Sequence, residues 1–195
     1  MSDFRGRVLL GVGALVAVVV LYHDPSTPST AAYERPTNAD LDRAIAKLAP
    51  HRQQDAAQHK PTNRVLLTGA AGFVGYHTAL RLHDEGDTVL GIDNFNPYYP
   101  VELKRARAAN LARAAEAGAP LALVHGDVCD GALLEELLRR ANVTHVIHLA
   151  AQAGVRYSLK KPLAYVEANV RCFVTLLEAV KAVDKRLPIV YASSS

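Results

Sequence analysis

From Arg64 onward the chain alternates short apolar runs with longer amphipathic stretches. The runs RVLLT (64–68), TVLGID (88–93), LALVHGD (121–127), THVIHLA (144–150) and LPIVYA (187–192) are nearly continuous in hydrophobicity, as strands buried on both faces of a parallel sheet are. Between them, residues 73–85, 101–116, 132–141 and 165–183 read as helices, and Gly86 closes the first. The last of these carries Val166, Val170, Phe173, Val174, Leu177 and Val180 at helical spacing. Strands alternating with helices predict an α/β fold: a Rossmann-like, doubly wound parallel sheet with right-handed crossovers, binding ligands at the carboxyl ends of its strands. Five strands bury a core but leave the outer edge open to pairing.

The pattern changes upstream. Residues 8–22 (VLLGVGALVAVVVLY) form an uncharged apolar run preceded by Arg5 and Arg7. As a helix it is about 22 Å long, short against a hydrocarbon core of roughly 30 Å. A single-pass signal-anchor is the favoured reading, ahead of a cleaved signal peptide and a buried helix, because HDPSTPST makes a poor cleavage site and the run has no amphipathic period. The arginines place the N-terminal side in the cytoplasm and the rest in a lumen, a type II arrangement in the secretory pathway, with the Golgi the expected organelle. Residues 24–63 hold five of the ten prolines and read as a semi-rigid stalk, with a short helix capped by Asn38 or Asp40 and running to Leu48, where Leu41, Ile45 and Leu48 share a face. The domains are therefore expected at 1–23 (anchor), 24–63 (stalk) and 64–195 (Rossmann domain).

Composition narrows the function. Half of the residues are apolar, enough for a core and too many for a disordered chain. A net charge of +3, scattered along the sequence, argues against nucleic acid. The two cysteines, Cys129 and Cys172, make neither a disulfide scaffold nor a multi-cysteine zinc site, and no metal is expected; Cys172 reads as a small core residue, and Cys129 has no assigned role.

The candidate chemistry lies after the first strand. Gly69, Gly72 and Gly75 sit where a strand turns into a helix, and Asp93 closes the next strand. That context is what a dinucleotide needs: a tight turn at Gly69, close backbone approach at Gly72, close helix packing at Gly75 and an acceptor for the adenosine ribose at Asp93. No arginine directly follows Asp93 to receive a 2′-phosphate, so NAD is expected over NADP. Asp127 and Val128 are placed to bracket the adenine, unless Asp127 only caps a turn. His145 and His148 fall on opposite faces of a strand and make poor co-ligands, with His148 read as a packed residue. Asn142-Val-Thr is a glycosylation sequon if the domain is lumenal.

The chain from about Arg64 to Ser195 resembles the extended short-chain dehydrogenase/reductases, and within them the UDP-glucuronate 4-epimerases, especially the membrane-anchored plant and algal kind. The motifs that carry this are TGAAGFVG (68–75), IDNFNPYYPVELKRAR (92–107), HLAAQAGVRYS (148–158), PLAYVEANV (162–170) and YASSS (191–195). The resemblance implies NAD contacts from Gly69, Gly72, Phe73, Val74, Gly75, Asp93, Asn94, Asp127, Val128, Leu149, Ala150, Ala151, Gln152 and Asn169. It implies that Ser194 hydrogen-bonds the reacting sugar hydroxyl and that Arg156 helps hold an anionic nucleotide sugar. The implied reaction is epimerisation at C4 of UDP-glucuronate to UDP-galacturonate through a 4-keto sugar, in cell-wall precursor metabolism, by an enzyme that dimerises at full length. Its catalytic Tyr and Lys are expected beyond Ser195, so that the piece alone binds cofactor without turnover. Tyr157-x-x-x-Lys161 is read as a coincidence, with no helix expected there. Another epimerase or dehydratase of the group, or a non-catalytic membrane-tethered dinucleotide-binding module, are the alternatives.

Overall fold

A computed structural model describes residues 33–49 and 63–193. The expected anchor and much of the expected stalk lie outside these residues, as does Ser194. Among the described residues no helix is long and apolar enough to cross a membrane.

All five strands form: β1 (Arg64–Thr68), β2 (Thr88–Asp93), β3 (Leu121–His125), β4 (His145–His148) and β5 (Ile189–Tyr191). They pair in parallel in the order β3-β2-β1-β4-β5. The direction of strand addition reverses between β2 and β4 around β1, which opens the crevice where such sheets hold ligands. Val65 lies between Val89 and His145, and Thr68 between Ile92 and His148.

The helices cover both faces. Before the sheet comes α1 (Asn38–Lys47); α2 (Phe73–Asp84), α3 (Val101–Ala114) and α4 (Gly131–Arg140) are the crossovers. After β4 the chain makes two single turns, α5 (Val155–Ser158) and α6 (Pro162–Tyr165), then a π-helical stretch (Val166–Arg171) that runs into α7 (Cys172–Asp184). Leu66, Leu90, Ile92, Val124 and Val146 pack against Leu133, Leu134, Leu137 and Leu138 of α4 and Leu176, Ala179 and Val180 of α7. On the other face Leu67 and Val89 meet Ala79 of α2 and Leu111 of α3. Adjacent β1 residues, Leu66 and Leu67, thus serve opposite layers, which is why the strand reads as continuously apolar. Truncating Leu137→Ala, on a fully buried position of α4, is expected to cost about 2–5 kcal/mol in urea unfolding; a loss below roughly 1 kcal/mol would show that this layer is loosely packed.

Three expectations need correction. The helix of the presumed stalk forms, but Thr37 caps it: its hydroxyl accepts from the Asp40 amide at 3.3 Å, and the Asp40 carboxylate accepts from the Thr37 amide at 2.9 Å. Leu41, Ala44 and Leu48 are buried in the core beside α4 and β3, and Arg35 pairs with Asp130 at 3.2 Å, so residues 35–48 are docked on the domain instead of extending from it. The long helix expected at 165–183 forms without a break, but Val166–Arg171 wind as a π-helix instead of an α-helix. Its apolar residues also divide: Cys172, Leu176, Ala179 and Val180 face the sheet, while Val166, Val170 and Val174 are exposed. The helix is apolar on two sides, and the sheet takes only one. Finally, β4 stops at His148 rather than Ala150, because the Leu149 amide divides between Thr68 O and Thr68 Oγ1 and the Ala150 amide turns wholly to that hydroxyl.

Candidate nucleotide-binding site

The turn after β1 is forced by its neighbours. Gly69 adopts φ +71, a left-handed conformation that favours glycine. Its amide donates to Ile92 O at 2.8 Å, and the Gly72 amide closes the turn on Gly69 O at 2.9 Å. A Cβ at Gly75 would stand 2.1 Å from Gly69 O, so α2 sits directly against the turn. Gly72 caps α2 with no side-chain bond, and Phe73 and Val74 are exposed beside it. The first-turn amides and the positive end of the helix dipole therefore face the crevice, ready for an anion.

Asp93 ends β2 under this turn. It is only 6% exposed, and its Oδ2 accepts from the Ala71 amide at 3.0 Å while Oδ1 accepts from the Phe95 amide at 2.8 Å. Lys104 of α3, equally buried, donates to Oδ1 at 3.2 Å. Sequence reasoning singled out Asp93 but not this counterion, which arrives from the next helix. The same helix brings Arg107 onto the turn: its guanidinium lies 5.7 Å from the centre of the Phe73 ring and donates to Ala71 O at 3.4 Å. A search for a cation directly behind Asp93 misses it.

At the end of β3, Asp127 plays the turn-capping role. Its Oδ1 accepts from the Cys129 amide at 2.8 Å, and its Oδ2 from Asn94 Nδ2 at 3.0 Å. Asn94 and Asp127 are thus held together across adjacent strand ends, and Val128 packs against the core. Cys172 is buried as the reading of it as a small core residue has it, but it is also bonded to Cys129 as a disulfide, which gives Cys129 a role the sequence did not assign. The pairing was illegible because it joins a loop to a helix 43 residues later.

On the β4 side, Thr68 Oγ1 accepts from the amides of Leu149 and Ala150, both at 3.1 Å, and lies 2.8 Å from His148 Nδ1. With both lone pairs engaged, the hydroxyl donates its proton to Nδ1, so the imidazole is neutral and carries its proton on Nε2. Burial pushes the His148 pKa down to about 4. The folded value lies below the usual 6.5, so the unfolded chain binds more protons between these two. The contribution of this histidine to stability is complete above pH 6.5 and is lost as pH falls toward 4, on the order of 3 kcal/mol in all. His148→Gln is expected to flatten the fall of the urea midpoint between pH 6.5 and 4; identical slopes in variant and wild type would refute this assignment. His145, on the other face, is exposed and bonds Thr144.

The loop beyond β4 is fastened by Asn169. Its Oδ1 accepts from the Gln152 amide at 2.7 Å and its Nδ2 donates to Gln152 O at 3.0 Å. The π-helical stretch carries Asn169 to this position. Tyr165 Oη donates to Ala153 O at 2.8 Å and also to Gly154 O. Tyr98 of the NPYY segment packs on Tyr157 with ring centres 5.0 Å apart, so the motifs at 92–107 and 148–158 meet in space. Arg156 and Ala151 are exposed. A helical turn does form at Val155–Ser158, where none was expected, and Lys161 N donates to Tyr157 O at 2.9 Å. Among the described residues no bond joins the Tyr157 hydroxyl to Lys161.

A parallel sheet ordered 3-2-1-4-5, with a glycine turn after β1 and an acid at the end of β2, defines a protein of the Rossmann type. The family model described as GDP-mannose 4,6 dehydratase matches residues 66–195, and the chain belongs to that family. It is 49% identical over 144 residues to UDP-glucuronate 4-epimerase 6 of Arabidopsis thaliana, an alignment covering 74% of this chain and 30% of that relative. The chain therefore spans about 30% of the length of this relative. Its fold resembles that of the UDP-glucose 4-epimerase of Bifidobacterium longum solved with NAD+ and UDP (TM-score 0.58, 33% identity, 68% of this chain and 37% of the other). It also resembles the UDP-glucose 4-epimerase of Stenotrophomonas maltophila solved with NAD and formylated UDP-arabinopyranose (TM-score 0.60, 26% identity, 68% and 37%).

Proposed function

We propose that this chain is the NAD-binding part of a UDP-glucuronate 4-epimerase. The observation that carries the reading is the convergence, at the β1 crevice, of the open α2 N-terminus and the Asp93 carboxylate. A carboxylate has about four acceptor positions; three are used by Ala71, Phe95 and Lys104, and one on Oδ2 is left for a ribose hydroxyl. The α2 amides at Phe73 and Val74 would take the pyrophosphate. Asp127 and Val128 would border the adenine, and Leu149 to Gln152 the other end of the cofactor. Arg156 would attract the anionic nucleotide sugar, and Ser194 would hydrogen-bond its reacting hydroxyl. NAD, when bound, accepts and returns hydride at C4 of the sugar, so that no second substrate is consumed.

Titration of the chain with NAD and NADP tests the cofactor. Binding of NAD at least tenfold tighter is expected, since Asp93 repels a 2′-phosphate; equal affinities would point to Arg107 as a phosphate ligand and overturn the preference. Substrate choice is tested on a protein that carries this segment at full family length, where turnover of UDP-glucose but not UDP-glucuronate would refute the assignment.

The type II anchor is part of the same reading. It is supported by the apolar run behind Arg5 and Arg7, and by the disulfide, which suits an oxidising lumen. Asn142 is exposed, at φ +48 after α4, where a glycan has room. Release of the expressed protein by alkaline carbonate would sink the anchor. The exposed Val166, Val170 and Val174 support packing of a second copy at full length; a monomer in sedimentation would exclude it.

A further inference from the structure

The Cys129–Cys172 bond crosses the part of the molecule that the nucleotide reading needs most. Cys129 lies two residues past Asp127, in the loop after β3, and its amide is the donor that holds Asp127 Oδ1. Cys172 opens α7, three residues past Asn169, which holds the loop after β4 at Gln152. Those two loops descend from strands on opposite sides of β1. The bond therefore straps the Asp127 side of the crevice to the helical segment that fastens the other side. Around it the packing is close: the N-terminus of α4 at Gly131 lies against Thr175, so that a Cβ at Gly131 would meet its methyl group at 3.2 Å. The two sulfurs and an Asp127 oxygen lie within 4.8 Å of one another, and with the sulfurs bonded to each other there are no thiolates to hold a metal.

We propose that this disulfide is a redox-dependent lock on the nucleotide site: closed, it holds the Asp127 loop in its binding geometry, and opened by a dithiol, it lets that loop move and weakens NAD binding. The proposal rests on the NAD reading above. The chemistry is thiol–disulfide exchange. Cys172 is 2% exposed and Cys129 half-buried, so the attack falls on Cys129. A thiolate of the dithiol bonds to Cys129 Sγ, the S–S bond breaks, and Cys172 Sγ leaves as a thiolate and takes a proton. The second thiol of the dithiol then displaces Cys129 Sγ, which is protonated in turn. Two electrons have passed from the dithiol, now a cyclic disulfide, to the pair. Reversal by a disulfide-bearing oxidant closes the lock. Ordering the loop is done in advance when the strap is closed and must be done by the nucleotide when it is open, which is where the affinity difference arises.

The test uses the whole 195-residue chain in detergent, with NAD as the probe. Mass spectrometry after alkylation, without reductant, is expected to find the Cys129–Cys172 cross-link; two alkylated thiols in the oxidised protein would overturn the proposal. Reduction with dithiothreitol is expected to raise the Kd for NAD roughly fivefold or more and to lower Tm by about 5–10 °C. Cys129→Ser should show the weakened affinity from the outset and no response to dithiothreitol, and Cys172→Ala should behave the same way, with circular dichroism confirming that both fold. NAD affinity that is unchanged while alkylation shows the bond open overturns the lock and leaves the NAD reading standing. Absence of NAD binding in both redox states overturns both.

Discussion

Gly75→Ala is expected to abolish measurable NAD binding and to cost about 3 kcal/mol or more in stability. The added Cβ would stand 2.1 Å from Gly69 O and 2.8 Å from Gly69 C, and both are backbone atoms that cannot rotate away. Relief requires α2 to lift from the turn. Lifting it moves the Phe73 and Val74 amides, which are the proposed pyrophosphate donors, and it disturbs Gly69, whose own φ of +71 is held by the Ile92 carbonyl. Helix position and anion site thus fail together. Urea unfolding and NAD titration of the same sample check this. A variant with wild-type stability and affinity would show that α2 does not pack here as described.

Asp93→Ala is expected to be nearly as damaging, for an electrostatic reason. It strips Lys104 of its partner while leaving the ammonium buried, a change on the order of 3–5 kcal/mol, and it orphans the Ala71 and Phe95 amides. It also removes the acceptor proposed for the ribose. Lys104→Met separates the two effects. The carboxylate then keeps both amide donors, so stability falls less, and NAD affinity should stay within about threefold of wild type while Asp93→Ala loses tenfold or more. If Lys104→Met weakens NAD as much as Asp93→Ala does, the carboxylate acts only through the fold and the ribose assignment fails.

The strap across Cys129 and Cys172 joins this logic. Gly75 and Asp93 shape the phosphate and ribose side, whereas the disulfide governs how firmly the Asp127 loop stands beside them. Stability variants in the first group should act in both redox states; effects of the strap should vanish on reduction.

Much of this was legible in the linear pattern, because the rules involved are local. A continuous apolar run marks a strand covered on both faces, an amphipathic stretch marks a helix, and the glycines between β1 and α2 answer to contacts within the same turn. All five strands, the crossover helices, the turn and Asp93 follow from residues within a few positions of one another. His148 as a packed histidine follows in the same way, from its place in a strand. The boundaries that slipped did so where a distant group competed with the local rule. The strand at 144–150 shortens because the Thr68 hydroxyl captures two of its amides, and the helix at 165–183 widens to π geometry where Asn169 bonds Gln152.

What the sequence by itself determined is therefore the type and order of the elements and the chemistry carried by the turn after β1. The tertiary structure alone decided which distant residues share an end of the sheet: Lys104 under Asp93, Arg107 on the glycine turn, Tyr98 against Tyr157, the helix at 38–47 on the core, and Cys129 bonded to Cys172. The physical reason is the strand order. Parallel strands send every crossover back to the same edge, so loops separated by tens of residues are brought into contact there, and no periodicity within a segment records which of them will meet.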